Sequence, residues 1–211
     1  MAKLRVHNLA TSLDGYAAGP GQTRQDPLGA NGERLHDFFW KTRFGSGDDE
    51  GSVGLDNDVL EAAVDNIGAS IMGRNMFGPV RGPWPDDSWT GWWGDEPPYR
   101  HDVFVLTHHP REPVAMKGGT TFHFVTDGIE AALALAFEAA DGRDVRLNGG
   151  AATVRAYLRA GLVDEMHVPV VPLLLRGGER LLDDEVLAGY SLDRFAASAE
   201  AAHYWYVRTR P

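Results

Sequence analysis

The sequence predicts an α/β layered protein built on a largely parallel sheet that closes in an antiparallel hairpin. Three observations predict this. Apolar runs of strand length alternate with helical periodicities along the 211 residues. One run, Val103-Phe104-Val105-Leu106, is unbroken, as suits a strand buried on both faces of a parallel sheet. The last two strand-like stretches, 195–199 and 203–209, are joined by a short turn and read as a hairpin.

The elements follow in order. Residues 4–9 alternate as a first strand, with Leu4 and Val6 on one side and Arg5 and His7 on the other. Residues 14–32 are rich in Gly, Pro, Gln and Asn and read as a long mobile loop, which in a compact fold usually serves function. Residues 33–42 form a helix with Leu35, Phe38, Phe39 and Trp40 on a broad apolar face. After a polar connection, 45–54, comes a helix over 56–67, with Asp56 a candidate cap. Residues 69–72 are a short apolar strand, and 79–98 an irregular surface excursion rich in Trp and Pro. Strands are expected at 102–107 and 120–125, then a helix over Ile129–Ala140 capped by Asp127. Residues 145–147 form a strand, 152–160 a helix stopped by Gly161, and 164–171 a strand stopped by Pro172. No linker splits the chain, so one domain over 1–211 is expected.

The formal net charge of −10 repels phosphate backbones and anionic lipid heads, so neither nucleic acid nor a membrane is expected as partner. No apolar stretch reaches the length of a membrane span. With no cysteine, thiolate metal sites, disulfides and cysteine nucleophiles are excluded, and a cytoplasmic location is the default. No metal site is expected from the scattered histidines.

Two strand-to-helix corners look alike: Ile71-Met72-Gly73-Arg74-Asn75 and Arg146-Leu147-Asn148-Gly149-Gly150-Ala151. Glycine lets a phosphate approach the backbone, and the free N–H groups of a first helical turn point at it. Each corner alone is equally a tight turn; together they favour a dinucleotide whose pyrophosphate lies between them. A third corner, Leu106-Thr107-His108-His109-Pro110, follows a central-looking strand, where open sheets bind ligands. Thr107 and His108 or His109 could hold the ribose phosphate of NADPH, or be plain surface residues. Asp14 stands where a strand enters the loop, a candidate for organising a proton or a simple Asp-Gly turn. Asp37, with Phe38 beside it, is a second candidate substrate contact. The tryptophans could cover a flat substrate, but packing is favoured.

Ser12-Leu13-Asp14-Gly15-Tyr16-Ala17-Ala18-Gly19, Met72-Gly73-Arg74-Asn75-Met76-Phe77, Asn148-Gly149-Gly150-Ala151, and Gly161-Leu162-Val163-Asp164-Glu165-Met166 followed by Pro172 and Gly177-Gly178 together resemble the reductase (RibD C-terminal) domain of riboflavin biosynthesis and its dihydrofolate-reductase-like relatives. The resemblance implies a dihydrofolate-reductase-like three-layer α/β/α fold with a central mixed, mostly parallel sheet, and often a homodimer. It implies NADPH in a cleft and hydride transfer to a small pyrimidine- or pteridine-like heterocycle, similar to 5-amino-6-(5-phosphoribosylamino)uracil reductase or dihydrofolate reductase. By the same match Gly73, Arg74, Asn75 and Met76 would bind cofactor phosphate, Thr107 and His108 the adenosine phosphate, and Gly149, Gly150, Ala151 and Ala152 the pyrophosphate. Ala17, Ala18 and Gly19 would lie near the nicotinamide, and Asp14 would face the substrate. The third corner lacks the arginine of many relatives, which leaves NADPH over NADH open. No deaminase segment with zinc ligands precedes, so a stand-alone reductase is expected. The alternative is a non-catalytic nucleotide- or aromatic-ligand-binding protein on the same fold.

Overall fold

The computed structural model describes residues 1–78 and 81–209. The chain runs β1 (Leu4–Val6), β2 (Thr11–Ser12), β3 (Tyr16–Ala18), α1 (Asp37–Trp40), α2 (Arg43–Ser46), α3 (Leu55–Ala62), β4 (Ile67–Gly73), α4 (Arg74–Phe77), β5 (Asp102–Leu106) and β6 (Val114–Ala115). It continues with β7 (Thr121–Val125), α5 (Ile129–Ala140), β8 (Asp144–Gly149), α6 (Ala151–Arg159), β9 (Glu165–Val171), β10 (Glu179–Arg180), α7 (Asp184–Leu187), β11 (Tyr190–Ala197) and β12 (Ala202–Arg208).

The main sheet has the order β11-β12-β9-β1-β8-β4-β5-β7-β6, with β2 also on β9. Its centre is parallel. The expected hairpin β11–β12 makes one edge antiparallel. The short β6 does the same at the other edge, where two residues gave no pattern to read. The sheet is the expected mixed, mostly parallel one with an antiparallel C-terminal hairpin.

One face of the sheet is apolar: Leu4, Val6, Ala69, Ile71, Phe104, Val145, Leu147, Met166 and Val168 form its core. On it lie α5, through Ala132, Ala136 and Ala140 at four-residue spacing, and α6, through Val154, Tyr157 and Leu158. The methyl-sized contacts of α5 let it sit close to the sheet. The Tyr157 hydroxyl is satisfied by the Ile129 carbonyl at 2.8 Å. The other face carries two smaller cores: Leu35, Phe38, Leu60 and Val171 under α1 and α3, and Met72, Phe77, Val103, Val105 and Phe122 at the far end.

Several expectations need correction. The strand over 4–9 stops at Val6, because Asn8 adopts a left-handed φ of 58°; the line resumes as β2 on β9. The loop over 14–32 contains β3, which pairs with β10, and is tied by Gly19 N–H to the Leu28 carbonyl. The helix over 33–42 is a 3₁₀ turn, Gly32–His36, running into α1. The connection 45–54 begins inside α2, which Thr42 caps by accepting from Gly45 N–H. The helix over 56–67 ends at Ala62; Asn66 is left-handed, and Ile67 opens β4. Asp56 and Asp127 cap nothing: Gly54 and Gly128 occupy those positions. β11 begins at Tyr190, five residues earlier than read, because its exposed edge carries no buried alternation. In the segment 79–98, Pro79 and Val80 lie outside the described residues. Residues 81–98 hold no helix or strand, but they are not a mere surface excursion: Trp84, Trp89 and Trp93 pack on the Phe77 core. The indole N–H groups of Trp89 and Trp84 reach the Phe77 and His109 carbonyls at 2.9 and 3.0 Å.

Candidate active site

A cleft of about 1250 Å³ opens along the carboxyl ends of β4, β5, β7 and β8 and continues down the second face of the sheet. It has two lobes.

The first lobe is built by the two glycine corners. Met72 and Gly149 are register partners, so β4 and β8 end side by side. A Cβ on Gly73 would collide with Thr153 Oγ1 and lie 3.6 Å from the Gly149 carbonyl, so glycine there permits contact between the corners. A Cβ on Gly150 would meet nothing within 4 Å, and Gly150 lines the cleft. No side chain caps α6. Its first-turn N–H groups, on a helix of nine residues, are therefore donors available to an anion. The first corner differs from expectation: α4 is a single turn, so its contribution is the Arg74 side chain rather than a helix dipole.

Arg74 lies 3.0 Å over the Trp84 ring, and Nη1 reaches Thr107 Oγ1 at 3.4 Å. Its buried Nε and Nη2 have no hydrogen-bond partner among the described residues. Burial, and then the neighbouring Arg111, lower its pKa to about 10, so it remains a cation at neutral pH. Thr107 Oγ1 also accepts from His109 N–H at 3.1 Å, and His108 and His109 complete this wall. Asn148, whose buried Nδ2 likewise has no partner among the described residues, also lines the cleft.

The second lobe has a polar floor of His7, Ser70 and Arg146 between apolar walls, Phe39, Leu60 and Val64 on one side and Trp93, Pro98 and Tyr99 on the other. Ser70 Oγ and His101 Nε2 are 2.8 Å apart. Behind the floor, His7 lies 3.5 Å from Glu165, His167 Nε2 lies 3.0 Å from His203 Nδ1, and His203 Nε2 lies 2.7 Å from Asp56. The imidazole of His7, then Lys3 and Arg5, hold the Glu165 carboxyl down to about 2.

The structure brings Ala17, Ala18, Gly73, Arg74, Asn75, Met76, Thr107, His108, Gly150, Ala151 and Ala152 to this one cleft. Gly149 sits just behind, against Leu9 and Met76. Other expected residues are not brought there. Asp14 is turned away: Ser12 Oγ donates to it at 2.5 Å, and the backbone N–H groups of Leu175 and Arg176 donate at 3.1 and 2.8 Å. These bonds keep its carboxyl below the usual range and make it a brace for the 174–176 turn. Gly19 closes its own loop, since a Cβ there would strike the Ala30 carbonyl. Phe38 is 2% exposed inside a core, and Asp37 faces solvent; His36 and Phe39 line the cleft instead. Thr126, Gly128 and Ile129 after β7, and Arg146 within β8, line it too. Arg146 belongs to the second glycine corner; its alternation with Asn148 was the signal that it faces the same side. Among the described residues no group of three or more His, Cys, Asp or Glu is placed to hold a metal ion, and no helix is long and apolar enough to cross a membrane.

The family model of the RibD C-terminal domain matches residues 5–202. Among solved structures, the chain is similar to a protein described as a riboflavin biosynthesis protein from Shewanella sp. PV-4, at 22% identity over 100% of both chains with a TM-score of 0.61. It is similar to dihydrofolate reductase from Enterococcus faecalis, complexed with NADP(H) and RAB-propyl, at 15% identity over 99% of this chain and 97% of that one, TM-score 0.53. A pyrimidine reductase-like protein from Corynebacterium diphtheriae matches at 14% identity over 100% and 93%, TM-score 0.54. At such identities these likenesses speak for the fold. No curated protein matches the chain.

Proposed function

The chain belongs to the RibD C-terminal domain family, and on that premise we propose that it is an NADPH-dependent reductase of a small pyrimidine- or pteridine-like heterocycle. The observation that carries this reading is the pairing of two features in one lobe. Arg74 presents buried Nε and Nη2 atoms with no partner among the described residues, and Gly150 leaves an open cradle before an uncapped helix. A phosphorylated dinucleotide fits both. Bound NADPH supplies the hydride. The protein supplies position. The N–H groups of Ala151 and Ala152 hold the diphosphate, while Arg74, Thr107 and His108 hold the ribose phosphate. Asn148, which lines the cleft with an Nδ2 that has no partner among the described residues, supplies a further donor. The apolar walls of the second lobe take a flat ring and exclude water from the reacting faces.

We further propose one domain over 1–211, a cytoplasmic location and a homodimer. A sheet that draws strands from Leu4 to Arg208 supports the first. The lack of cysteine is compatible with the second. Leu192 and Phe195, each 53% exposed on the edge strand β11, support the third.

One observation favours the rival reading, a binding protein without turnover: Asp14 and Asp37 lie outside the cleft, which leaves Glu179 as the carboxylate among its described lining residues. The deciding experiment follows the absorbance of reduced nicotinamide in the presence of a panel of pyrimidines and pteridines. Substrate-dependent loss supports the reductase; tight NADPH binding with no turnover on any of them supports the rival.

A further inference from the structure

The floor of the second lobe carries a charge imbalance that a cofactor in the first lobe does not use. Arg5 on β1 and Arg146 on β8 are register partners, so two guanidiniums stand side by side on one face of the sheet. Arg5 is compensated. Its Nε lies 2.8 Å from Glu165, an ion pair without hydrogen-bond alignment, its Nη1 lies 3.3 Å from Asp144, and it donates to the Asp65 and Ala62 carbonyls. Glu165 also takes Lys3 at 2.7 Å. Two carboxylates thus answer three cations, and Arg146 is the one left over. Its Nη2 donates to the His7 carbonyl at 3.3 Å, and its buried Nε meets no acceptor among the described residues.

The other groups facing Arg146 bring no negative charge. Its register partner on β4 is Ser70, whose hydroxyl is engaged with His101. Burial, then Arg143 and Arg146, lower the His101 pKa to about 4, so that ring is neutral at pH 7. Burial raises the Tyr99 phenol, which is therefore protonated. An unpaired guanidinium below the surface is costly to the fold, and a cost of this kind is commonly kept where a ligand recovers it. Arg146 also faces the cleft.

We propose that Arg146, with Ser70 beside it, is a subsite for an oxyanion carried by the substrate, a carboxylate or a phosphate monoester, separate from the cofactor-phosphate grip at Arg74. The word substrate rests on the reductase reading; the anion site itself does not. Four residues along β8 separate Arg146 from Gly150, roughly 13 Å at strand rise. That leaves room for a ring between the oxyanion and the diphosphate. The guanidinium fork favours two oxygens held side by side over a single point charge.

The test titrates ¹⁵N-labelled protein with inorganic phosphate and, separately, with formate. It reads the Nε–H resonances of Arg146 and Arg74, each assigned by its loss in Arg146→Gln and Arg74→Gln. Where Arg146→Gln does not fold, Arg146→Lys serves the same assignment and keeps the charge. The expected result is a shift at Arg146 that saturates and persists in Arg74→Gln. Response to phosphate alone identifies a phosphate monoester, and response to formate alone a carboxylate. No saturable shift at Arg146 with either ion overturns the subsite. NADPH added to the same samples is read at Arg74. A responsive Arg146 beside an Arg74 indifferent to NADPH keeps the anion subsite and refutes the cofactor grip; the converse refutes the subsite and keeps the grip.

Discussion

Replacing Arg74 by methionine probes the cofactor grip with little disturbance of the free protein. The thioether keeps apolar contact with Trp84, over which the guanidinium now lies at 3.0 Å. The free protein loses one long hydrogen bond, 3.4 Å to Thr107, and a cation–π contact, but is relieved of a buried cation whose Nε and Nη2 have no partner among the described residues. These effects oppose, so unfolding free energy should change by no more than about 1 kcal/mol. The complex loses a charge-assisted bond to phosphate, worth about 1.5–3 kcal/mol, which raises the NADPH Kd by about 10- to 160-fold. Because Arg74 shares its wall with Thr107 and His108, the loss should fall on NADPH and leave NADH little affected. Titration calorimetry with both nucleotides reads the difference. An unchanged NADPH Kd in a folded variant would refute the assignment of Arg74 to cofactor phosphate, and equal losses for the two nucleotides would move Arg74 from the ribose phosphate to the diphosphate.

Other expectations follow from the same geometry. Gly73→Ala should destabilise the fold by about 1–3 kcal/mol, as overpacking does, because the new methyl meets Thr153 Oγ1. Adding Thr153→Ala should recover most of that loss in a double-mutant cycle by urea unfolding, and additive losses would rule out the clash. Acid should weaken the protein from about pH 6.5 downward. A histidine whose folded pKa lies below its unfolded value contributes fully above the unfolded value and loses that contribution as pH falls toward the folded one. Burial, then His203, His7 and Arg194, lower His167 to about 2, so this group alone removes about 1.4 kcal/mol per pH unit below 6.5. His101, facing the cleft, contributes less, and Glu165 adds its share between its ordinary value and about 2. Denaturant midpoints at pH 7.5, 6 and 5 check this, and a flat profile would contradict it. Asp14→Asn should speed hydrogen exchange at the Leu175 and Arg176 amides while leaving NADPH affinity intact; a selective loss of turnover with unchanged exchange would return Asp14 to catalysis.

The alternation of strands and helices, the buried run at Val103–Leu106 and the closing hairpin were readable because each is a local pattern with a definite period. The glycine corners were readable as glycine-bearing strand ends: Gly73 is needed for close approach to Thr153, while Gly150 leaves open space where a side chain would stand. What local pattern does not hold is which of two neighbours faces the cleft. Asp37 and Phe38 differ from His36 and Phe39 by a rotation around one helical turn, and the 3₁₀ entry to α1 sets that rotation. That Asp14 braces a distant turn was not legible, because its partners, Leu175 and Arg176, lie 161 and 162 residues away. The floor was equally hidden. Whether Arg146 is compensated depends on how Lys3, Arg5, Asp144 and Glu165 share their charges across three strands. Sequence spacing carries none of that.

The most direct measurement is a structure determined with NADPH bound. The account predicts the diphosphate lying over Gly150, within hydrogen-bond distance of the Ala151 and Ala152 N–H groups, and a phosphate oxygen on Nε or Nη2 of Arg74. Nucleotide bound elsewhere, or bound with Arg74 still turned to Thr107 and no phosphate on it, would contradict the account.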